Sequence, residues 1–394
     1  MDFTYTEEQA AIEELSGRVF SDLCTQDRMK ALEATSGDTG PFDSQLWARL
    51  AEAGLIGVGL GEDVGGGGMD FLAVALVIEA AGRSAAYAPV IETMVYGAWV
   101  IDEFGTTAQR ERWLPDVCAG KQILTTAIPE EVDGLIVDGA IPATRARRDS
   151  KSLWSIHGVK ACVPAGLVAT TILVPALIDD SSDDGDEGVT IGIFAVDPSS
   201  PGVRITRQDT TAGRPEAVLE LDGVVVDDSC RIGADGSDPS GHSQRTGEIL
   251  PRVIERATAA LCIYQAGACA AALSLLSEYT SNRRQFGSPI AAFQAVGQRA
   301  ADAYVDTQAI KLTALQAAWR ISRGLSCSRE VAAAKYWAAE GGQRVLHAAV
   351  HLHGGVGVDR DYPLHRFYLL THQIELTLGG ATASLRRLGS MLAS

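Results

Sequence analysis

Apolar residues in the first third of the chain recur at three- and four-residue intervals, the spacing that lines one face of a helix. TEEQAAIEELSGRVF opens on Thr6, whose hydroxyl suits a helix cap, with Glu7 and Glu8 in the first turn. The pattern predicts a helical region from Thr6 to about Gly120. From about Gln122 to Asp228 the texture changes to β-branched runs, TTILVPALI, VTIGIFAV and AVLELDGVVV, separated by turn formers. These predict strands of an antiparallel sandwich or barrel. The acidic tract DDSSDDGDEG at 179–188 lies between two of them and reads as a solvated hairpin loop. The polar stretch GADGSDPSGHSQRTGE at 233–248 reads as a linker. Beyond it, alanine-rich segments of helical period predict a bundle of long helices. The fold class expected is therefore mostly α with a central β domain, divided into 1–120, 121–232, the linker 233–248, and 249–394.

Length and charge narrow the classes of function. A chain of 394 residues exceeds a single small core. A net charge of −17 argues against nucleic acid or an anionic membrane as partner, since both need concentrated Lys and Arg. The seven cysteines, at 24, 118, 162, 230, 262, 269 and 327, form no CxxC pair, which suits reduced thiols and a cytoplasmic location. The acidic N-terminus is unlike a signal peptide. No stretch approaches the ~18 uninterrupted apolar residues expected of a membrane helix.

Several motifs invite an assignment. GLGEDVGGGG at 59–68 is glycine-rich, but no Lys-Ser/Thr follows it and no strand-then-helix frame surrounds it, so it reads as an interdomain loop rather than a phosphate cradle. His347, His351 and His353 share a helix end, where capping or packing is the simpler role than metal binding. No Ser/His/Asp or Cys/His arrangement can be claimed from spacing. RRQFGSPIAAFQ at 283–294 and HLHGGVGVDRDYPLHR at 351–366 are chain reversals, and Gly354, Gly355 and Gly357 in the second would let backbone N–H groups come close to a phosphate or ribose.

Together these segments resemble the acyl-CoA dehydrogenase family, over nearly the full length. GLIGVGLGEDVGGGGMD looks like its first-domain loop, GTTAQRERWLPDVCAGK its approach to the β domain, and RRQFG, AAAKYWA and HLHGGVGVDRDYPLHR its C-terminal signatures. The resemblance implies an N-terminal helical domain, a middle β domain and a C-terminal four-helix bundle. It also implies an FAD enzyme that removes an α proton with a carboxylate base while the β hydrogen leaves as hydride to the flavin.

The family's usual base lies sixteen residues beyond the Tyr of a YP pair; counted from Tyr362, that position is Leu378, followed by Gly379 and Gly380. The alternative position, twenty-six residues before the Arg of RxxFG, is Ala257, counted from Arg283. Glu255 is rotated by roughly 200° from Ala257 on a helix, and Glu375 is displaced by roughly 4.5 Å from Leu378. Both are weak fallbacks, and no catalytic residue is assigned to this chain. The family's flavin-ring segments are also altered. AIPEEVDG, from Ala127, keeps only Pro129, and GVKACVPAG keeps Gly158 and Lys160 but has Cys162, Val163 and Pro164 where an indole and a hydroxyl are usual.

In the family's tetramers the FAD diphosphate and adenosine reach across to a neighbour's RxxFG and QxxGGxG segments. Those matches are intact here: Arg283, Phe286, Gly287, Phe293 and Gln294, then Gly354, Gly355 and Gly357, with His351 at the usual Gln. The resemblance thus implies a non-catalytic subunit of a heteromeric α2β2 enzyme, similar to one subunit type of the actinobacterial enzymes that desaturate steroid side-chain CoA thioesters. FAD would be shared with a catalytic sister chain, which binds the acyl-CoA, and electrons would pass to an electron-transferring flavoprotein or similar carrier. Two alternatives stay open: a homo-oligomeric dehydrogenase with Glu375 or Glu255 as base, and a cofactor-free scaffold or binding protein of the same fold.

Overall fold

In the computed structural model, residues 4–130, 141–149, 152–179, 190–233 and 246–393 are described. The acidic tract from residue 180 on, the linker from 234 to 245, and residues 131–134 of AIPEEVDG lie outside the described residues. The helices in chain order are α1 (Glu7–Leu23), α2 (Gln26–Thr35), α3 (Ser44–Glu52), α4 (Phe71–Arg83), α5 (Trp99–Phe104), α6 (Thr107–Cys118), α7 (Thr246–Asn282), α8 (Gln294–Ser322), α9 (Ser328–Tyr336), α10 (Gly342–His353), α11 (Leu364–Leu376) and α12 (Ala381–Ala393). Two segments, Glu92–Ala98 and Trp337–Gly341, wind as π-helix. The chain divides into two compact units: Met1–Ala31 with Asp70–Tyr87 and Thr258–Ser394, and Leu32–Met69 with Ala88–Ala257.

The first unit is helical. Thr6 caps α1 as its sequence suggests, accepting from the Gln9 amide at 3.2 Å while the Gln9 side chain accepts from the Thr6 amide at 3.1 Å. α1 packs on α4, α4 on α8, α8 on α9 and α10, and α10 on α11. α4 is buried nearly all round. Its Gly82 and Gly267 of α7 explain how closely two backbones meet: a Cβ on Gly82 would lie 2.1 Å from the Tyr264 carbonyl oxygen, and one on Gly267 would lie 2.1 Å from that of Glu79. A side chain at either position would force the helices apart. Ile249–Asn282 is long and apolar enough on average to cross a membrane, although polar residues such as Gln265 and Ser274 interrupt it, and 72% of that window is buried inside the protein. Its alanines, with Leu261, Cys262, Ile263, Cys269, Leu273, Leu275 and Leu276, carry that hydropathy.

The second unit holds the curled sheet of β1 (Leu124–Thr126), β2 (Arg145–Arg148), β3 (Leu153–Val163), β4 (Thr171–Asp179), β5 (Ile191–Val196), β6 (Val203–Arg207) and β7 (Ala217–Asp227). The three apolar runs of the sequence are β4, β5 and β7. The expectation of purely antiparallel pairing needs correction. β1 and β2 lie end to end along one edge of β4, registering Leu124 with Thr171 and Arg145 with Leu177, and both pairings are parallel. β5 covers the other edge of β4, and β3, β7 and β6 extend the sheet antiparallel. Trp154 and Phe194, with ring centroids 5.4 Å apart, anchor its core among Ile156, Val174 and Leu219.

Candidate cofactor-binding site

After α7 the chain turns in a two-residue hairpin between β8 (Arg284–Gln285) and β9 (Ser288–Pro289). Its tip, Phe286 and Gly287, has φ of 51° and 81°. Such a turn suits glycine and strains a phenylalanine. Phe286 is nevertheless 94% exposed, its ring edge-on to that of Phe293 with centroids 6.2 Å apart. Arg283 and Gln294, the first residue of α8, are also exposed. Among the described residues, neither Arg283 nor Arg299, one and a half turns into α8, forms an ion pair with a carboxylate. In a chain of charge −17, unpaired cations beside an exposed aromatic fit an anionic, aromatic ligand.

The second group begins at the end of α10. Gly354, with φ 62° and ψ −139°, requires glycine, and a Cβ on Gly354 or Gly355 would meet nothing within 4 Å. Both are exposed, so the backbone is open to a ligand there. Gly357 has a different role: it is buried, and a Cβ would lie 2.9 Å from the Val350 carbonyl oxygen. His353, fully enclosed, fixes the reversal. Its Nδ1–H donates to the Ala349 carbonyl at 2.7 Å, its Nε2 accepts from the Tyr362 hydroxyl at 3.1 Å, and its ring stacks on Tyr279 at 4.4 Å. Burial holds this imidazole's pKa below its ordinary value, which keeps it neutral. His351 faces Arg299, with Nη1 to Nδ1 3.0 Å. Among the described residues no hydrogen bond joins the 284–289 hairpin to the 354–357 segment within the chain.

The base positions are apolar and enclosed. Leu378 is 4% exposed and sits past the end of α11 with φ 56°. The offset of Glu375 from Leu378 is therefore not a displacement along one helix, as the spacing suggested. Glu375 ends α11 half-buried, its carboxylate 3.3 Å from His372 Nδ1. Ala257 is fully buried in α7, while Glu255 is half-buried. The enclosed Lys335 donates to the carbonyls of Ile374 at 2.5 Å and Glu375 at 3.4 Å, satisfying the last turn of α11.

The segments at the ring positions are tied into the sheet. Glu130 receives Lys160 Nζ at 2.5 Å, Thr144 Oγ1 at 2.6 Å, and the Ala143 and Thr144 amides at 2.5 and 3.1 Å. Burial would raise its pKa, but the Lys160 charge and these donors hold it below the ordinary carboxylate value; burial, opposed by Glu130, brings Lys160 down to about 8. Cys162, φ 48°, falls in the register break between Lys160 and Val163, and its amide donates to Gln208 Oε1 at 2.6 Å. That amide and carboxylate are thus committed internally. Pro164 adds no donor.

The three helix-end histidines part company: His347 meets the Tyr368 and His372 rings, His351 meets Arg299, and His353 meets Tyr362. Among the described residues no cluster of three or more metal-ligand side chains occurs. All seven cysteines are free thiols. The 59–68 loop folds on itself: a Cβ on Gly66 would lie 2.2 Å from the Leu60 carbonyl oxygen. Sequence reasoning missed Arg299, Tyr279, Lys335 and Glu130, while His353 takes the helix-end packing role expected of it. Only Arg299 had a visible signal, as a cation closely following Gln294 in an acidic chain.

Comparison with known proteins decides the family. The chain matches the acyl-CoA dehydrogenase N-terminal domain over 6–121 and the C-terminal domain over 252–391. The chain belongs to the acyl-CoA dehydrogenase family. It is 35% identical to the acyl-CoA dehydrogenase FadE27 of Mycobacterium tuberculosis, over 100% of this chain and 99% of that protein. Among solved structures it resembles a chain of the ChsE4-ChsE5 complex of the same organism (TM-score 0.89, 34% identity, covering 100% and 99% of the two chains). It also resembles a chain of a Tcur3481-Tcur3483 steroid ACAD variant (TM-score 0.85, 36% identity, 98% of each chain). Acyl-CoA dehydrogenases are FAD-dependent oxidoreductases acting on acyl-CoA, and the exposed cations, open glycines and aromatic tip described above fit the diphosphate and adenosine of that cofactor.

Proposed function

We propose that the chain is the non-catalytic subunit of a heteromeric FAD-dependent acyl-CoA dehydrogenase. The observation that carries this reading is Leu378, an enclosed apolar residue at the position where the family's carboxylate base stands. Arg283 pairs with the cofactor's diphosphate, Phe286 and Phe293 face its adenosine, Gln294 and His351 offer hydrogen bonds, and the backbone at Gly354 and Gly355 lies against it, with Gly287 and Gly357 shaping the two reversals. FAD, when bound, supplies the hydride acceptor. A sister subunit contributes the ring pocket, the acyl-CoA site and the base, in an α2β2 tetramer of cytoplasmic location divided into the three regions 1–120, 121–232 and 249–394. Both neighbours at 34–36% identity are chains of two-component assemblies, and one is a steroid ACAD by name, which supports a bulky sterol-derived acyl-CoA. The electron acceptor is an electron-transferring flavoprotein or similar carrier.

Flavin stoichiometry tests the reading. The chain expressed alone is colourless and inactive; co-expressed with its catalytic sister it gives about one FAD per unlike pair and desaturates acyl-CoA. One FAD per chain with activity in the chain alone would sink the proposal and return Glu375 or Glu255 as candidate bases. A sister complex that is fully active with no flavin contact to this chain favours the scaffold instead.

A further inference from the structure

Within the helical unit, α8 and α10 border a cleft of about 560 Å3 lined by Arg299, Asp302, Asp306, Gln343, Arg344 and His347. Most of its charge is spent internally. Arg344 grips Asp306 through Nε and Nη2, at 2.8 and 2.6 Å, and also reaches Glu340 at 3.2 Å. Arg299 differs. It is exposed, Asp302 one turn along forms no ion pair with it, and its partner is the ring of His351 at 3.0 Å.

That contact fixes a protonation pattern. A guanidinium has donors and no acceptor, so the nitrogen it touches must be the bare one. His351 Nδ1 therefore accepts from Arg299, and the neutral ring carries its proton on Nε2 as an outward donor. The pair thus offers one full positive charge, several guanidinium N–H groups and one imidazole N–H, and Asp302, one turn along α8 in the same cleft, is not ion-paired to Arg299. His351 stands on the last turn of α10, three residues before the open backbone of Gly354 and Gly355, and Arg299 reaches it from α8. Cation, N–H donors and accessible glycine backbone in one place are the requirements of phosphate recognition.

We propose that Arg299 and His351 act together as a second phosphate-recognition pair, taking the diphosphate-bearing end of FAD beside Gly354 and Gly355 while Arg283 serves the hairpin side. This rests on the cofactor-clamp reading given above. His351 orients Arg299 and donates its own Nε2–H, so a side chain that accepts from Arg299 and donates elsewhere can replace it.

The test uses the co-expressed heteromeric complex, freed of flavin and titrated with FAD, with ADP as competitor. Arg299→Met weakens FAD and ADP binding by about tenfold or more, the loss expected for one charge-assisted hydrogen bond. His351→Leu weakens both as well, His351→Gln restores them, and the thermal midpoints of all three match wild type because both side chains are exposed. Unchanged ADP affinity in Arg299→Met, in a wild-type complex holding one FAD per unlike pair, overturns the pair and leaves the clamp reading intact. A wild-type complex holding one FAD per chain overturns the clamp reading and the pair together.

Discussion

Lys335 of α9 donates to the carbonyl oxygen of Ile374 at 2.5 Å, an ammonium enclosed in the protein against the end of α11. Burial brings its pKa down to about 8, opposed by Cys262 of α7 and Glu375 of α11. The unfolded chain keeps that proton up to its ordinary value of 10.5, so between about 8 and 10.5 the unfolded state binds more protons and stability rises with pH. Lys335→Met removes the titration. The difference in thermal midpoint, wild type minus variant, therefore grows from pH 8 to pH 10. Cys262 and Cys269, pushed up to about 12 by burial, pull the absolute stability of both proteins down above pH 9, which is why the difference is the quantity to measure.

Glu130 and Lys160 make a second test. Replacing Glu130 with Leu leaves the enclosed Lys160 without its carboxylate and lowers stability by about 3–5 kcal/mol. The double variant Glu130→Leu with Lys160→Met loses less than the sum of the two single changes in urea unfolding. The Glu130 pKa lies below its ordinary 4.5, so its contribution is complete above that pH and fades as acid titrates it through the lower folded value. Acid unfolding of the Glu130→Leu protein is correspondingly less steep.

Phe286 separates stability from assembly. It is 94% exposed at φ 51°, where asparagine is tolerated better. Phe286→Asn leaves the isolated chain as stable as wild type or up to about 1 kcal/mol more stable, while FAD retention by the heteromeric complex falls.

Restoring a glutamate does not restore an enzyme. Leu378→Glu puts a carboxyl where 4% of the side chain reaches solvent, and stability drops by roughly 2 kcal/mol or more. The variant chain alone stays without dehydrogenase activity because Cys162 and Pro164 still stand at the ring positions. Leu378→Gly relieves the positive φ, worth about 1–2 kcal/mol, and gives up burial of similar size, so its midpoint stays near wild type.

Long elements were legible because a long helix or strand repeats its pattern often enough to be read. α1, α7 and α8 stand out by period, and β4, β5 and β7 by β-branching. β2 was invisible: RARR carries one buried residue, Ala146, and owes its conformation to pairing with β3 and β4. β1 is three residues, too short for any alternation. The parallel pairings followed from which edges met, which no local pattern encodes. At the site, the glycines and Arg283 were readable from motif position. The His353 stack joins Tyr279 and Tyr362 from separate elements, and the Glu130 cluster gathers donors from two other stretches of chain, 143–144 and Lys160, so both depend on tertiary contacts.

The π-helical run Glu92–Ala98 is, in effect, an α-helix carrying one residue more than its neighbours accommodate. Gly97 there would bring a Cβ within 2.2 Å of the Leu124 Cβ, and the Thr126 hydroxyl donates to the Tyr96 carbonyl, so the widened turn is keyed to β1. Excising a single residue from this run would let the α ladder close and would swing everything after it, beginning with Trp99, by roughly 100° about the helix axis. Trp99, which now lies 4.2 Å from the Arg256 guanidinium, would turn away from it. The length of this short segment, more than its composition, sets which side of the following helix faces inward.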